Sequence, residues 1–367
     1  MAASARTKPK SWPWFSQACI SEVSAVLRSG RLTAYRANPS VGVGPSKGSQ
    51  AYCLEREIES RFKVKHAVAV NSGTAALHAA LEAVGVRGFE VIVSPFTFSA
   101  SVSAILMAGG VPRFADVDPD TFCLSAESVN RVITKRTACI LPVHLFGYFQ
   151  DMSEMLSLGP PVIEDACQAV GAVRADAFSG TAGLAGVYSF NGSKNLPSGE
   201  GGCLVTNDGK IAEKARAFVN HQENFGYESV SPNYRMHEVV AVLARHGLRQ
   251  LDERNNRRRE LARAFYTNCP FPAATDDSHV YYVTPFKVHG WSRDPLVKRC
   301  KKRGLTVGSG YIQPTLDKYP AFRKYVTHDL PVAHELSQRS LCLLYGLTPD
   351  KPLSYARWCA KVIGESL

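Results

Sequence analysis

No stretch of the 367 residues approaches the roughly 18–20 uncharged apolar residues that a membrane-spanning helix requires. The first ten residues, Met1 to Lys10, are basic and polar, and no apolar run of the kind a secretory leader needs follows them. They read as a frayed tail. The ten cysteines form no Cys-x-x-Cys pair and keep no zinc-finger spacing with histidines. Several lie inside apolar runs, where a free thiol behaves as a small hydrophobe, and this pattern points to a reducing cytoplasm. No internal repeat is visible. Acidic residues are in deficit, 32 against 43 Lys and Arg, which gives a formal charge of +11. Such an excess attracts anions, among them phosphate esters, nucleotide sugars and nucleic acid, without choosing between them. The densest basic runs, Arg254 with Arg257–Arg259 and Lys298–Arg303, have no interleaved aromatics. They read as solvated helix faces rather than as nucleic-acid patches.

The chain is 45% hydrophobic and 20% charged, ordinary for a globular protein and long enough for two domains. Between about residues 65 and 206, short β-branched runs alternate with amphipathic segments. The runs are His66–Val70, Glu90–Ser94, Ala138–Val143, Pro161–Glu164, Gly186–Phe190 and Gly202–Thr206; Thr74–Ala83 and Phe98–Met107 are two of the helical patterns. The alternation predicts an α/β fold, a mainly parallel sheet between helices, with ligands at the carboxyl ends of its strands. Met236–Tyr266 reads as a long helical region, broken near Gly247. A smaller α+β part follows, with a strand-like Val280–Val288, a helix near Pro295–Arg303 and a helical Pro331–Leu367. These readings divide the chain into a large domain, 1–250, and a small one, 251–367. Asn38–Gln50, rich in Gly, Ser and Pro, reads as a loop.

Three segments carry chemistry. In Val70-Asn-Ser-Gly-Thr-Ala-Ala-Leu77 a strand ends, Gly73 turns the chain and Thr74 opens a helix, whose free N–H groups suit an anion. Many strand–helix turns share this form and bind nothing. In Val162-Ile-Glu-Asp-Ala-Cys-Gln168, Asp165 ends an apolar strand, a costly position for a carboxylate without a partner. It could hold a protonated pyridine nitrogen, with Gln168 reaching the ring hydroxyl, or it could cap a following helix. In Tyr188-Ser-Phe-Asn-Gly-Ser-Lys-Asn-Leu-Pro-Ser-Gly-Glu-Gly-Gly202, Lys194 lies in a glycine-rich turn between apolar strands. Partial desolvation there favours the free amine that attacks an aldehyde, although an isolated lysine in such a turn is usually a solvated one. Ser189 is suited to donate to a phosphate.

Together, in order and at compatible spacing, these segments resemble the sugar and aminocyclitol aminotransferases of the DegT/StrS family. The resemblance runs from Trp12 to about Phe322 and is strongest between Val68 and Thr206. It implies the pyridoxal-phosphate (PLP) fold of type I, with a large domain built on a seven-stranded sheet. It further implies that Lys194 carries PLP as a Schiff base, that Asp165 holds the pyridine nitrogen, and that Gln168 contacts the ring hydroxyl. Gly73, Thr74 and Ser189 would bind the phosphate. Phe98, in Ser94-Pro-Phe-Thr-Phe98, would stack on the ring; without the family it reads as a core aromatic. Asn233 would reach the cofactor of a neighbouring subunit, which makes a homodimer the smallest active unit. No metal is implied. The implied reaction is ping-pong transfer of an amino group from glutamate or glutamine, through pyridoxamine phosphate, to a keto-sugar carried on a nucleotide. A keto-cyclitol such as an inosose is the alternative acceptor. A dehydratase branch replaces the lysine by histidine, and Lys194 argues against it. The chain departs from the family pattern in a short Met155–Pro161, in Cys167 where alanine is common, in His221-Gln222, and in Gly310–Leu316, which leaves the acceptor open. From a different class, the +11 charge suits a non-catalytic regulatory or nucleic-acid-binding protein of the same fold, but Gly73, Asp165, Ser189 and Lys194 together favour an enzyme and nucleic acid is not expected.

Overall fold

Apolar runs that pair edge to edge bury their backbone polar groups in one another, and among the described residues seven such strands make up the main sheet. The computed structural model describes residues 13, 15–38, 42–221, 230–271, 276–308, 312–343, 348 and 350–367. The strands of the main sheet are β1 (His66–Val70), β2 (Glu90–Val93), β3 (Val111–Phe114), β4 (Thr137–Leu141), β5 (Ile163–Asp165), β6 (Ala185–Ser189) and β7 (Gly202–Thr206). One group runs β1-β7-β6-β5 and the other β4-β2-β3. Parallel bridges Ile140–Val162 and Val143–Asp165 join the two into one seven-stranded sheet. Only β7 runs against its neighbours. The mainly parallel α/β sheet expected from the sequence is therefore present. β3 was not among the expected strands, because Pro112 and Arg113 interrupt its apolar pattern.

The period of two along the strands assigns each face to its own layer. Val68 and Val70 join an apolar cluster with Leu77 and Leu81 of the Gly73–Val84 helix. Ala67 and Ala69 face the opposite cluster, with Leu54 and Ile58 of the Gln50–Phe62 helix and Ala244 of the Glu238–Arg249 helix. A further cluster draws only on residues 261–363, including Phe265, Phe286, Leu296, Cys359 and Ile363. There Thr284–Lys287 pairs antiparallel with Ser340–Leu343.

Several expectations need correction. Asn38–Gln50 is not a plain loop: Gly42–Pro45 is a strand paired antiparallel with Tyr35–Asn38, while residues 39–41 lie outside the described set. Within this hairpin Gly44, at φ +136°, makes room for Arg216: a Cβ there would stand 2.9 Å from Nη1 of that arginine. The long helical region breaks at Gln250 and not at Gly247, into helices Glu238–Arg249 and Leu251–Tyr266. The strand-like Val280–Val288 shortens to Thr284–Lys287, and the C-terminal segment contains the strand Ser340–Leu343 between its helices. Arg254 and Arg258 are buried, not solvated. Arg258 donates from Nη1 to the carbonyls of Tyr281 (3.1 Å) and Tyr282 (3.2 Å). Burial lowers its pKa to about 10, still far above neutrality, so the guanidinium stays charged. The segments 1–12, 222–229 and 309–311 lie outside the described residues, and with them the tail, Gln222 and part of Gly310–Leu316.

Among the described residues no helix is long and apolar enough to cross a membrane, and no group of His, Cys, Asp and Glu could hold a metal ion. All ten cysteines are free thiols.

Candidate active site

The carboxyl ends of β1, β2, β5 and β6 open onto a cavity of about 380 Å³. Gly73, Thr74, Phe98, Asp165, Gln168, Ser189 and Lys194, separated by more than a hundred positions in the chain, all line it. Of the expected site residues only Asn233 does not. It is exposed on a short bridge to Asn220 and accepts at Oδ1 from the Arg235 N–H (3.2 Å).

Each residue is held by its local structure. Ser72 caps the Gly73–Val84 helix, its Oγ accepting from the Ala75 N–H at 3.1 Å, so the helix starts at the cavity wall with its first N–H groups unpaired within the helix. Gly73 is required there for space: a Cβ would stand 2.8 Å from Ser189 Cβ and 2.9 Å from Cys167 Sγ. Phe98 precedes the Ser99–Met107 helix and is 54% exposed on the cavity wall, which excludes the core-aromatic alternative.

Asp165 is buried, at 4% exposure. Its carboxylate accepts from Ser101 Oγ (2.8 Å) and from the Cys167 N–H (3.2 Å). No helix follows it, so the capping alternative fails. Gln168 accepts at Oε1 from the Phe146 N–H (2.8 Å), which fixes the orientation of the amide. Burial, and then the Asp165 carboxylate, hold the Cys167 thiol well above its ordinary range, so it stays protonated.

Lys194 stands in a turn closed by hydrogen bonds from Gly192 N to Gly199 O (2.8 Å) and from Phe190 N to Gly201 O (2.8 Å). The next residue, Asn195, is buried and donates to Asn255 Oδ1 (2.8 Å) and Val280 O (3.0 Å), tying the turn to the C-terminal part of the chain. Among the described residues no carboxylate pairs with Lys194; its Nζ lies 4.1 Å from the centroid of the Tyr282 ring. The site thus offers an amine nucleophile, a buried carboxylate, and an anion-binding helix terminus flanked by a serine.

The sequence reading missed Asn191, Ser193, Glu200, Ser101 and Tyr282, all of which line the cavity. Asn191, Ser193 and Glu200 stand within the Lys194 turn, where polar residues between two apolar strands were a usable signal. Tyr282 is remote in sequence and no local pattern marks it.

Beneath the site, Glu164 and His144 are fully buried. The Glu164 carboxylate meets His144 Nε2 (2.8 Å) and accepts from the N–H groups of Gly180 (2.9 Å), Ala182 (2.7 Å) and Gly183 (2.7 Å). A second cavity, of about 420 Å³, contains none of the expected residues. Its lysine, Lys287, is committed to Asp120 (2.6 Å) and to Pro119 O (3.0 Å).

Comparison with known proteins agrees with this arrangement. The sequence profile of the DegT/DnrJ/EryC1/StrS aminotransferase family matches residues 28–350. The spore coat polysaccharide biosynthesis protein SpsC of Bacillus subtilis (strain 168) is 32% identical, across 91% of each chain. A UDP-N-acetyl-3-dehydro-alpha-D-glucosamine 3-aminotransferase of Acidithiobacillus ferrooxidans is 34% identical, across 81% of this chain and 83% of its own. The crystal structure of an aminotransferase from Psychrobacter cryohalolentis superposes with a TM-score of 0.85 at 28% identity, covering 98% of both chains.

Proposed function

The chain belongs to the DegT/DnrJ/EryC1/StrS aminotransferase family, whose members are PLP-dependent enzymes of fold type I, and we propose that it moves an amino group from glutamate or glutamine to a keto-sugar carried on a nucleotide. The observation that carries this reading is that Lys194, with no carboxylate partner among the described residues, shares one cavity with Asp165.

The residues fit the cofactor. The gap left by Gly73 beside Ser189 would be filled by a single Cβ, and it opens onto helix N–H groups suited to a phosphate. When bound, PLP supplies an electron-withdrawing ring that stabilises the negative charge left where a carbon loses its proton. In our reading Lys194 Nζ holds the cofactor covalently and then moves that proton. The Asp165 carboxylate, fixed by Ser101 and Cys167, keeps a proton on the ring nitrogen. Gln168 meets the ring hydroxyl, Gly73, Thr74 and Ser189 hold the phosphate, and Phe98 covers one ring face. Asn233 of each subunit would serve the other's site, so we read the enzyme as a homodimer. We also read the chain as two units, 1–250 and 251–367, on the support of the separate apolar cluster within residues 261–363. A reducing cytoplasm suits its ten free thiols.

For the acceptor, a nucleotide-linked keto-sugar draws support from the name of the Acidithiobacillus relative and from the net charge of +11. A keto-cyclitol is the second reading, and one observation favours it: among the described residues lining the cavity, Lys194 is the sole cation, whereas a diphosphate calls for more. The regulatory alternative loses ground, because two arginines of the densest basic run are buried and not offered to a polyanion.

The test is a visible absorption spectrum of the purified protein with PLP. We expect a band that the Lys194→Ala protein lacks, and that bleaches with either glutamate or glutamine. Adding scyllo-inosose or a UDP-linked keto-sugar then restores it and identifies the acceptor. A protein that takes up no PLP would refute the reading. Light scattering across a dilution series would do the same for the dimer if it returned a monomer that still turns over.

A further inference from the structure

We propose that Tyr282 is a catalytic residue whose ring face holds the ε-amine of Lys194 whenever that amine is not covalently engaged. This rests on the reading of Lys194 given above. The observation is the Nζ-to-centroid distance of 4.1 Å, well inside the roughly 6 Å over which a ring face attracts a cation.

Tyr282 is held from three directions, at its hydroxyl and at its backbone. Ser193 gives its proton to Asn191 Oδ1 (2.9 Å), so the Tyr282 hydroxyl donates to Ser193 Oγ (3.1 Å). Asn191 in turn donates from Nδ2 to Glu200 Oε1 (2.9 Å), which completes a chain of hydrogen bonds along the cavity rim. From the Leu251–Tyr266 helix, the buried Arg258 holds the Tyr281 and Tyr282 carbonyls. From the third side Gly147, at φ +103°, lets the backbone pass closely: a Cβ there would stand 2.8 Å from Tyr282 N. A residue fixed at both its backbone and its hydroxyl is part of the site's construction.

The chemistry gives it work. A lysine side chain is long and flexible, and its amine must leave the cofactor and return in each half of the transfer. A carboxylate would hold the ammonium as a directed ion pair, as Asp120 holds Lys287. A ring face attracts the cation, accepts no strong hydrogen bond, and loosens its hold once the amine is neutral. The neutral amine is the species that attaches again.

Two variants separate the ring from its hydroxyl: Tyr282→Phe keeps the face and Tyr282→Leu removes it. In the cofactor-free protein, acetylation of Lys194 by acetic anhydride, followed by peptide mass spectrometry, reads the contact without turnover. Wild type and Tyr282→Phe should be protected alike, and Tyr282→Leu labelled about two- to fivefold faster, the size of a partly exposed cation–π contact. In the loaded protein, borohydride reduction should still trap PLP on Lys194 in Tyr282→Leu, while its donor half-reaction slows by a similar factor at unchanged donor affinity. Equal labelling of wild type and Tyr282→Leu, or equal acceleration in both variants, would overturn the role of the ring. Failure of the wild type to trap PLP on Lys194 would instead remove the reading beneath it, an outcome the labelling does not mimic.

Discussion

Lys194 and Lys287 each stand at the edge of a cavity, of about 380 and 420 Å³ respectively, and their surroundings differ in kind. Lys287 meets a carboxylate at 2.6 Å and a carbonyl at 3.0 Å, which fix it in place. Lys194 meets an aromatic face. A nucleophilic amine needs freedom to reach its target, which an ion pair with two fixed acceptors restricts more than contact with a ring face does. Cavity size does not distinguish the two lysines; their immediate partners do. The walls differ too. The first cavity rests on strand ends anchored by Glu164, the second on the stacked rings of His279 and Tyr281, 3.8 Å apart.

The sharpest way to break this contrast is to remove each lysine in turn. Lys194→Ala should abolish transfer, by about 10³-fold or more, if as proposed it is both the covalent and the proton-moving group. Lys287→Ala should leave kcat and KM within about twofold, since a half-exposed ion pair contributes little. Equal losses in the two variants would mean that the lysines had been assigned wrongly.

Next in size is Glu164→Gln. The carboxylate meets four hydrogen-bonding groups, and an amide in its position presents an NH₂ group to backbone donors. We expect a loss of about 3–5 kcal/mol in unfolding free energy by urea denaturation, accompanied by weaker cofactor retention, because Glu164 adjoins Asp165 on the same strand. Loss of stability with cofactor retention untouched would show that Glu164 supports the sheet and not the site.

The second cavity has its own signature in pH. Burial holds the His279 imidazole neutral and lowers its pKa from 6.5 to about 3. The unfolded chain takes up this proton near pH 6.5 and the folded chain does so only near 3, so the contribution is complete above about 6.5 and is lost as pH falls towards 3. At pH 5 that amounts to about 2 kcal/mol. The His279→Gln protein should lose less stability between pH 7 and pH 5 than the wild type, with PLP binding unchanged. Parallel pH curves for the two proteins would refute this.

How much of this was legible depends on where the signal lay. The ends of β1, β5 and β6 were legible because Gly73 turns the chain after one apolar strand, Asp165 closes another with a carboxylate that calls for a reason, and Lys194 stands in a glycine-rich turn between two more. By the same argument Glu164 was within reach, since it too sits in an apolar strand. The basic run at Arg254–Arg259 was misread for want of its helical period. Arg254 and Arg258 share a stripe with Leu251, Leu261 and Phe265, all buried, so their place on the core side followed from a spacing of three and four. Tyr282 had no such signal. Its meaning arises from a contact far along the chain, which period and propensity do not encode.

The smallest effect we predict tests the cofactor side of the contrast most finely. Gly73→Ala adds a methyl group that meets Ser189 Cβ at 2.8 Å and Cys167 Sγ at 2.9 Å. The helix tolerates alanine by propensity, so the fold should hold, with the melting temperature lowered by an overpacking cost on the order of 1 kcal/mol. The methyl group would narrow the gap between the helix N–H groups and the Ser189 hydroxyl. PLP affinity should fall about tenfold, the cost of displacing one such contact, and inorganic phosphate should lose affinity in proportion. Cys167→Ala in the same protein removes one of the two clashes, and it should recover part of the lost affinity if space is the cause. If Gly73→Ala binds PLP like the wild type, the phosphate does not lie against this helix, and the link between the helix terminus and Lys194 would have to be redrawn.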